Sequence, residues 1–195
     1  MSDPNSAIPP EATPSLWRRV DEYRAEQHLK FNAKNAGRLP GWRNRRGYRT
    51  LVVAQLVALT IGLIGAVMSF FTNWFFVLFF ASVIATGVCM YLLRIVTGSI
   101  ADTPPAALDE IQLAQRNSAR SIGFFVCYTL MFIPYAILIV LSMRDQVSGS
   151  AVYGTAIVMI VLMVFAAQVP TMLVTWWMSD PDPEDYVTDH NERSE

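Results

Sequence analysis

Long apolar segments without charge dominate the hydrophobic pattern of this chain. From Thr50 to Leu93 the sequence contains no Asp, Glu, Lys, Arg or His. As one helix this segment would measure roughly 66 Å at about 1.5 Å per residue, twice the ~30 Å hydrocarbon core of a bilayer. The polar pair Thr72-Asn73 lies near its middle among aromatic residues typical of a membrane interface. The pattern therefore predicts a transmembrane helical hairpin.

Two further charge-free segments, Ser121 to Met143 and Gln146 to Ser179, each exceed the ~18 residues that indicate a spanning helix. Backbone polar groups must be satisfied within lipid, and these segments lack the alternation of barrel strands. We therefore predict an all-α fold, an integral membrane four-helix bundle. The predicted spans are about 50–71, 74–93, 121–143 and 151–178, joined by a cytoplasmic loop at 94–120 and flanked by a basic tail at 1–49 and an acidic tail at 179–195.

Short amphipathic helices are predicted outside the spans. Leu16, Val20 and Tyr23 recur at helical spacing after Ser15, which favours either an amphipathic helix on the inner leaflet or a solvated arm. In the central loop, Pro104 suits a first helical position, and the helix can continue into the third span. Between these elements, Pro40, Gly41 and Gly47 argue against a stable helix just before the first span.

Composition and charge support a membrane protein and predict its orientation. Apolar residues make up 53% and charged residues 16%, against about 25% charged in soluble domains. Ten Lys and Arg residues lie in the N-terminal tail, three in the central loop and one in the C-terminal tail, while the opposite face has only Arg144. The positive-inside rule then predicts a multi-pass plasma-membrane protein with both termini in the cytoplasm.

Arginines just before the first span are candidate lipid-headgroup ligands. Each basic side chain near an anionic surface contributes about 1 kcal/mol of attraction. Arginine interleaved with aromatics also occurs in nucleic-acid sites, but the adjacent span explains the cluster without a nucleic-acid partner. The candidate residues are Arg38, Arg43, Arg45, Arg46 and Arg49.

Small residues form a ladder in the first two spans. Such ladders let helix backbones approach closely in lipid, where hydrophobicity does not drive association. The face can pack within the hairpin, form a homo-oligomer or receive another membrane protein. The candidate packing residues are Ala54, Ala58, Gly62, Ala66, Ala81 and Ala85.

Prolines and polar residues inside the spans are the remaining intramembrane features. Pro134 and Pro170 predict helix kinks, which serve either gating or packing. No predicted span carries a charged side chain, which argues against an ion-coupled pump. Gln55 and Gln168 suit interhelical hydrogen bonds. Cys89 and Cys127, the only cysteines, are predicted to be packing residues, and neither metal nor cofactor is expected.

No catalytic constellation is evident, so we expect no enzyme. The sequence contains no phosphate-binding glycine loop, no zinc spacing and no nucleophile with its base. Asp109, Glu110 and Arg116 come close together on a central-loop helix, which leaves a surface-acting lipid enzyme as a remote alternative.

The central loop carries one resemblance. Asp102-x-Pro104, Leu108-Asp109-Glu110-x-Gln112 and Arg116-Asn117-x-Ala119 resemble a loop that precedes a span in small multi-span membrane proteins of actinobacteria, mostly of unassigned function. The resemblance covers about 20 of the 195 residues and implies a bacterial plasma membrane.

Two functions follow as hypotheses. The first is a structural, accessory or regulatory role through helix–helix association, with anionic lipid and either a membrane-protein partner or further copies of the chain. The alternative is an oligomeric channel or transporter for an unidentified solute, with Gln55, Gln168 and the two proline kinks along its path.

Overall fold

The computed structural model describes residues 15–35, 39–98 and 110–178, which form helices and no strand. Four of the helices, α2 to α5, are long and apolar enough to cross a membrane. The chain is therefore a multi-pass membrane protein with an all-α, four-helix membrane domain, as the sequence predicts. The helices are α1 (Ser15–Asn35), α2 (Arg45–Met68), α3 (Phe75–Val96), α4 (Glu110–Ser142) and α5 (Gly149–Trp177), with a 3-10 turn at Pro40–Trp42 before α2.

The start of α2 corrects one sequence expectation. The segment before the first span was predicted to be irregular, yet α2 begins at Arg45. The Asn44 side chain caps the helix by accepting a hydrogen bond from the Gly47 backbone amide at 2.7 Å. Gly47 suits this turn because the Trp42 backbone carbonyl occupies the position of a β-carbon. Gly47, which the sequence suggested would break a helix, therefore forms part of the first turn of α2, because Asn44 caps its amide and Trp42 packs against its α-carbon.

The helix α4 joins the end of the predicted central-loop helix to the third span. Its 33 residues would extend about 50 Å at 1.5 Å per residue, well beyond the hydrocarbon thickness. Its first turns therefore project from the membrane on the side where α2 begins. The helix continues through Pro134, just as α5 continues through Pro170.

The N-terminal helix α1 contacts the membrane domain near its C-terminal end. The Phe31 ring packs edge-on against Tyr91 of α3, with centroids 6.2 Å apart. Asn35 is buried, and its side-chain amide donates to the Phe31 carbonyl at 2.8 Å. Leu16 and Tyr23 remain exposed at the other end. Whether these exposed residues contact lipid stays a prediction.

The spanning helices pack in the order α3, α2, α5, α4. The close neighbours are α3 with α2, α2 with α5, and α5 with α4. The central helices α2 and α5 are the most buried, whereas α4 is almost wholly exposed along its apolar part. Consequently α4 forms one edge of the domain and offers most of its circumference to its surroundings.

Two apolar clusters hold α2, α3 and α5 together. The first lies towards the end where α2 begins, and the second lies towards the two short turns. The first cluster comprises Tyr48, Leu51, Val52, Leu59, Leu93, Val96, Val169 and Met172. The second comprises Ala66, Ile157, Val158, Val161 and Leu162, with Phe70, Phe75, Phe79, Leu130 and Met131 packed around them.

Candidate functional site

The small-residue face of α2 is occupied within the subunit. Ala58, Gly62 and Ala66 are buried, while Ala54 is exposed. The Ser82 hydroxyl of α3 donates to the Ala58 carbonyl at 2.8 Å, and it occupies the place where Gly62 would carry a β-carbon. The hairpin itself therefore uses most of the ladder, which leaves little of it for another protein.

On α3 the buried side chains are offset from the predicted alanines. Ala81 is exposed and Ala85 is half-buried, whereas Ser82 and Thr86 are buried. One residue corresponds to about 100° around a helix, so the face towards α2 is turned by that amount from the predicted face. Ser82, whose hydroxyl is the interhelical donor, is not among the packing residues predicted from the sequence. The sequence signal for Ser82 was its helical spacing, three residues before Ala85 and four before Thr86, which places the three residues on one side of α3.

A polar layer lies inside the membrane domain at the level of Gln55. Gln55 is fully buried, and neither its Nε2 nor its Oε1 has a hydrogen-bonding partner among residues 15–35, 39–98 and 110–178. Gln168 of α5 is nearly buried, and its Nε2 lies 3.2 Å from the Met90 sulfur of α3. The two predicted polar residues thus lie inside one subunit, between α2, α3 and α5.

The arginines before the first span line an open groove of about 410 Å³. Asn44, Arg45, Arg46 and Arg49 form its walls. The Arg49 guanidinium lies over the Trp176 ring of α5 at 5.0 Å from the centroid, which is a cation–π distance. Arg43 approaches the Asn35 carbonyl at 3.4 Å. Arg38 lies outside the described residues, so the structure brings four of the five candidates to one end of the domain.

The two prolines have different surroundings. The Pro170 ring faces Gly123 of α4: a β-carbon on Gly123 would lie 2.6 Å from Pro170 Cγ and 2.9 Å from Cδ. Pro134 is buried. For Pro170, the structure therefore shows a packing contact between α4 and α5, in which glycine accommodates the ring.

The central-loop candidates do not form one exposed cluster in the described residues. Asp109 lies outside those residues, Glu110 is exposed and Arg116 is buried. Within the described ranges no group of three His, Cys, Asp or Glu side chains could hold a metal ion. Cys89 and Cys127 are free, half-buried thiols.

An aromatic face on α4 was not singled out from the sequence. Its side chains point away from α5, because the buried residues Gly123 and Pro134 lie on the opposite side of the helix. Tyr128 and Tyr135 are about 60% exposed and lie about 10 Å inside the ends of the predicted span. Neither hydroxyl has a hydrogen-bonding partner within the described part of the chain. The face comprises Phe124, Phe125, Tyr128, Phe132, Tyr135 and Ile139.

Comparison with known proteins gave no match to a family model, a curated protein or a solved structure. The resemblance of the central loop to actinobacterial membrane proteins stays a prediction. Part of that loop, residues 99–109, lies outside the described residues.

Proposed function

We propose that this chain is a plasma-membrane protein with a structural or accessory role. It acts through helix–helix association along the aromatic face of α4. The observation that carries the proposal is the pair of exposed tyrosines, Tyr128 and Tyr135, each of which lies about 10 Å inside an end of the predicted span. The face lies on the edge helix of the domain, where another membrane protein can approach. The small-residue face of α2, the other candidate, already packs within the subunit.

The energetic argument concerns the two phenol hydroxyls. Tyrosine favours the membrane interface, where its ring is apolar and its hydroxyl is hydrated. A hydroxyl left without a hydrogen bond in an apolar medium costs about 1–3 kcal/mol. Two such hydroxyls on one face, with three phenylalanines between and beside them, favour contact with a protein that offers polar partners over contact with lipid chains.

The orientation proposed from the charge distribution has the arginine groove in the cytoplasm. Arg49 packs on Trp176, and Trp177 follows in an exposed position, so that cationic and aromatic residues meet at one level. This combination is typical of a membrane interface. Anionic lipid headgroups are accordingly proposed to bind at the groove lined by Arg45, Arg46 and Arg49.

Site-specific photocrosslinking tests the association. A benzophenone side chain placed at Tyr128 or Tyr135 should give discrete protein adducts in native membranes. Ile84, an exposed residue on the opposite edge helix α3, is the matched control position. We expect adducts at positions 128 and 135 and none at 84. Lipid adducts only, together with a monomer after mild crosslinking and solubilisation, would contradict the proposal.

A channel or transporter is the second candidate, and the unpaired amide of Gln55 is the observation that favours it. Gln55 is enclosed by α2, α3 and α5 of one subunit, so a path past it would run within a subunit and not between copies. Solute flux into liposomes should then fall in Gln168→Leu and Pro170→Ala. Unchanged flux in both variants would exclude this function.

A further inference from the structure

The buried amide of Gln55 has an unusual environment for a membrane helix. Its side chain is 0% exposed, and both its donor and its acceptor are unpaired within the described ranges. No bulk water reaches such a site in the hydrocarbon region, so an unsatisfied amide is costly. The same is true of Thr86 on α3, whose hydroxyl oxygen is buried and unpaired among those residues. Both polar groups call for a hydrogen-bonding ligand.

Helix register places Gln55 and Thr86 at one depth. The Ser82 hydroxyl bonds to the Ala58 carbonyl, which fixes the level of α3 against α2. The two helices are antiparallel. Gln55 precedes Ala58 by three residues on α2, and Thr86 follows Ser82 by four residues on α3. At 1.5 Å per residue these shifts are about 4.5 and 6 Å in the same direction.

The register of α5 adds Gln168 to this layer. A β-carbon on Gly62 would lie 3.8 Å from Val161, so these two residues are at the same level of α2 and α5. The two helices are antiparallel. Gln55 precedes Gly62 by seven residues and Gln168 follows Val161 by seven, so the two glutamines also share one level. The Gln168 amide nitrogen is directed to the Met90 sulfur at 3.2 Å. A thioether is a weak acceptor, so this contact leaves the layer under-satisfied.

We propose that the membrane domain binds a water molecule in this layer, bridging the Gln55 amide and the Thr86 hydroxyl. The ligand must both accept a hydrogen bond from Gln55 Nε2 and donate one to Gln55 Oε1 or Thr86 Oγ1. Water does both, and a buried water typically makes two to four such bonds. A metal cation would satisfy only the oxygen acceptors, and no carboxylate lies in any of the three spans to balance its charge.

The proximity of Met90 supplies a probe. X-ray pulses split bound water into hydroxyl radicals, and such a radical adds to the nearest methionine sulfur. Dissolved oxygen then removes one electron and one proton from the adduct, which leaves the sulfoxide. In protein reconstituted into nanodiscs, Met90 should be oxidised several times faster than Met159 and Met163, which face outward from α5. In water labelled with oxygen-18, the new oxygen on Met90 should carry the label.

Two variants make the test specific. Gln55→Leu removes the amide, and Thr86→Val removes the hydroxyl while keeping the side-chain shape, so that one variant remains if the other fails to fold. Each should reduce Met90 oxidation to the rate of Met159 and Met163. The inference would be overturned if Met90 in the unmodified chain reacted no faster than these controls, or if a folded variant kept the fast reaction.

Discussion

Gly123 of α4 lies against the ring of Pro170 of α5, so closely that a β-carbon on Gly123 would lie 2.6 Å from Pro170 Cγ. Real β-carbons do not approach another atom to this distance. The contact therefore sets how closely α4, the most exposed spanning helix, packs against the rest of the domain. It also requires glycine for a reason that the sequence does not show, because Gly123 and Pro170 lie far apart along the chain.

Substitution of Gly123 by alanine should destabilise the domain. The added methyl group would force α4 away from α5, and overpacking of this kind costs about 1–3 kcal/mol. Unfolding of the protein from lipid–detergent micelles, followed by circular dichroism, measures the free energy of unfolding. Gly87→Ala is the matched control, because nothing lies within 4 Å of a β-carbon there. Equal stability of the two variants would show that α4 does not pack on Pro170.

The Gly62 and Ser82 pair should show coupled effects. Gly62→Ala should destabilise the hairpin, because its methyl group would meet the Ser82 hydroxyl. Ser82→Ala loses the 2.8 Å hydrogen bond to Ala58, which is worth about 0.6 kcal/mol on average for such bonds in membrane proteins. In the double variant the hydroxyl is absent, and only the β-carbon at position 82 remains near the new methyl group, at 3.3 Å. The clash is largely relieved, so the two losses should not add. A double-mutant cycle by the same unfolding measurement tests this, and simple additivity would contradict the register of α2 and α3.

The Arg49 and Trp176 contact should stabilise the α2–α5 end of the domain. Replacing Arg49 with Gln removes the charge over the ring, and replacing Trp176 with Leu removes the ring. A double-mutant cycle should give a coupling of about 0.5–1 kcal/mol, the range of partly exposed cation–π pairs. Arg144→Gln, in the turn at the other end, should show no coupling with Trp176→Leu. If the coupling energy between Arg49→Gln and Trp176→Leu were no larger than that between Arg144→Gln and Trp176→Leu, the contact would be excluded.

Removal of the two phenol hydroxyls should weaken association without loss of fold. Tyr128→Phe and Tyr135→Phe keep the aromatic rings, so the apolar face is preserved while the hydrogen bonds proposed to form with the partner protein are lost. We expect photocrosslinking from a benzophenone at position 132 to fall several-fold in the double variant. Tyr153→Phe, an exposed tyrosine on α5, is the control. A yield equal to that of the control would show that the hydroxyls face lipid.

Much of the fold could be predicted from the sequence, because charge-free segments of spanning length are a strong constraint. The faces of the helices could not. In lipid both the buried and the exposed sides of a helix are apolar, so no amphipathic pattern distinguishes Ala81 from Ser82. Both Ala81 and Ser82 fit a four-residue spacing of small side chains. Which of the two faces α2 depends on how the two helices pack. The outward aromatic face of α4 could not be predicted either, because both sides of that helix are apolar.

The first turn of α2 shows a second limit. Gly41 and Gly47 predicted an irregular segment, because glycine lowers helix propensity. The Asn44 cap and the Trp42 carbonyl over Gly47 outweigh that preference. Similarly, Gln55 and Gln168 were recognised as polar candidates, but their enclosure by three helices of one subunit depends on a register that a single sequence does not contain.

The central claim is that four crossings place the arginine-rich end in the cytoplasm and the two short turns outside, and cysteine labelling tests it most directly. In a chain with Cys89→Ala and Cys127→Ala, single cysteines replace Gly41, Asn73, Asn117 or Ser148. A membrane-impermeant maleimide applied to intact cells should label positions 73 and 148, and should label 41 and 117 only after the membrane is opened. Labelling of position 41 or 117 in intact cells, or labelling of positions 73 and 148 from opposite sides of the membrane, would contradict the account.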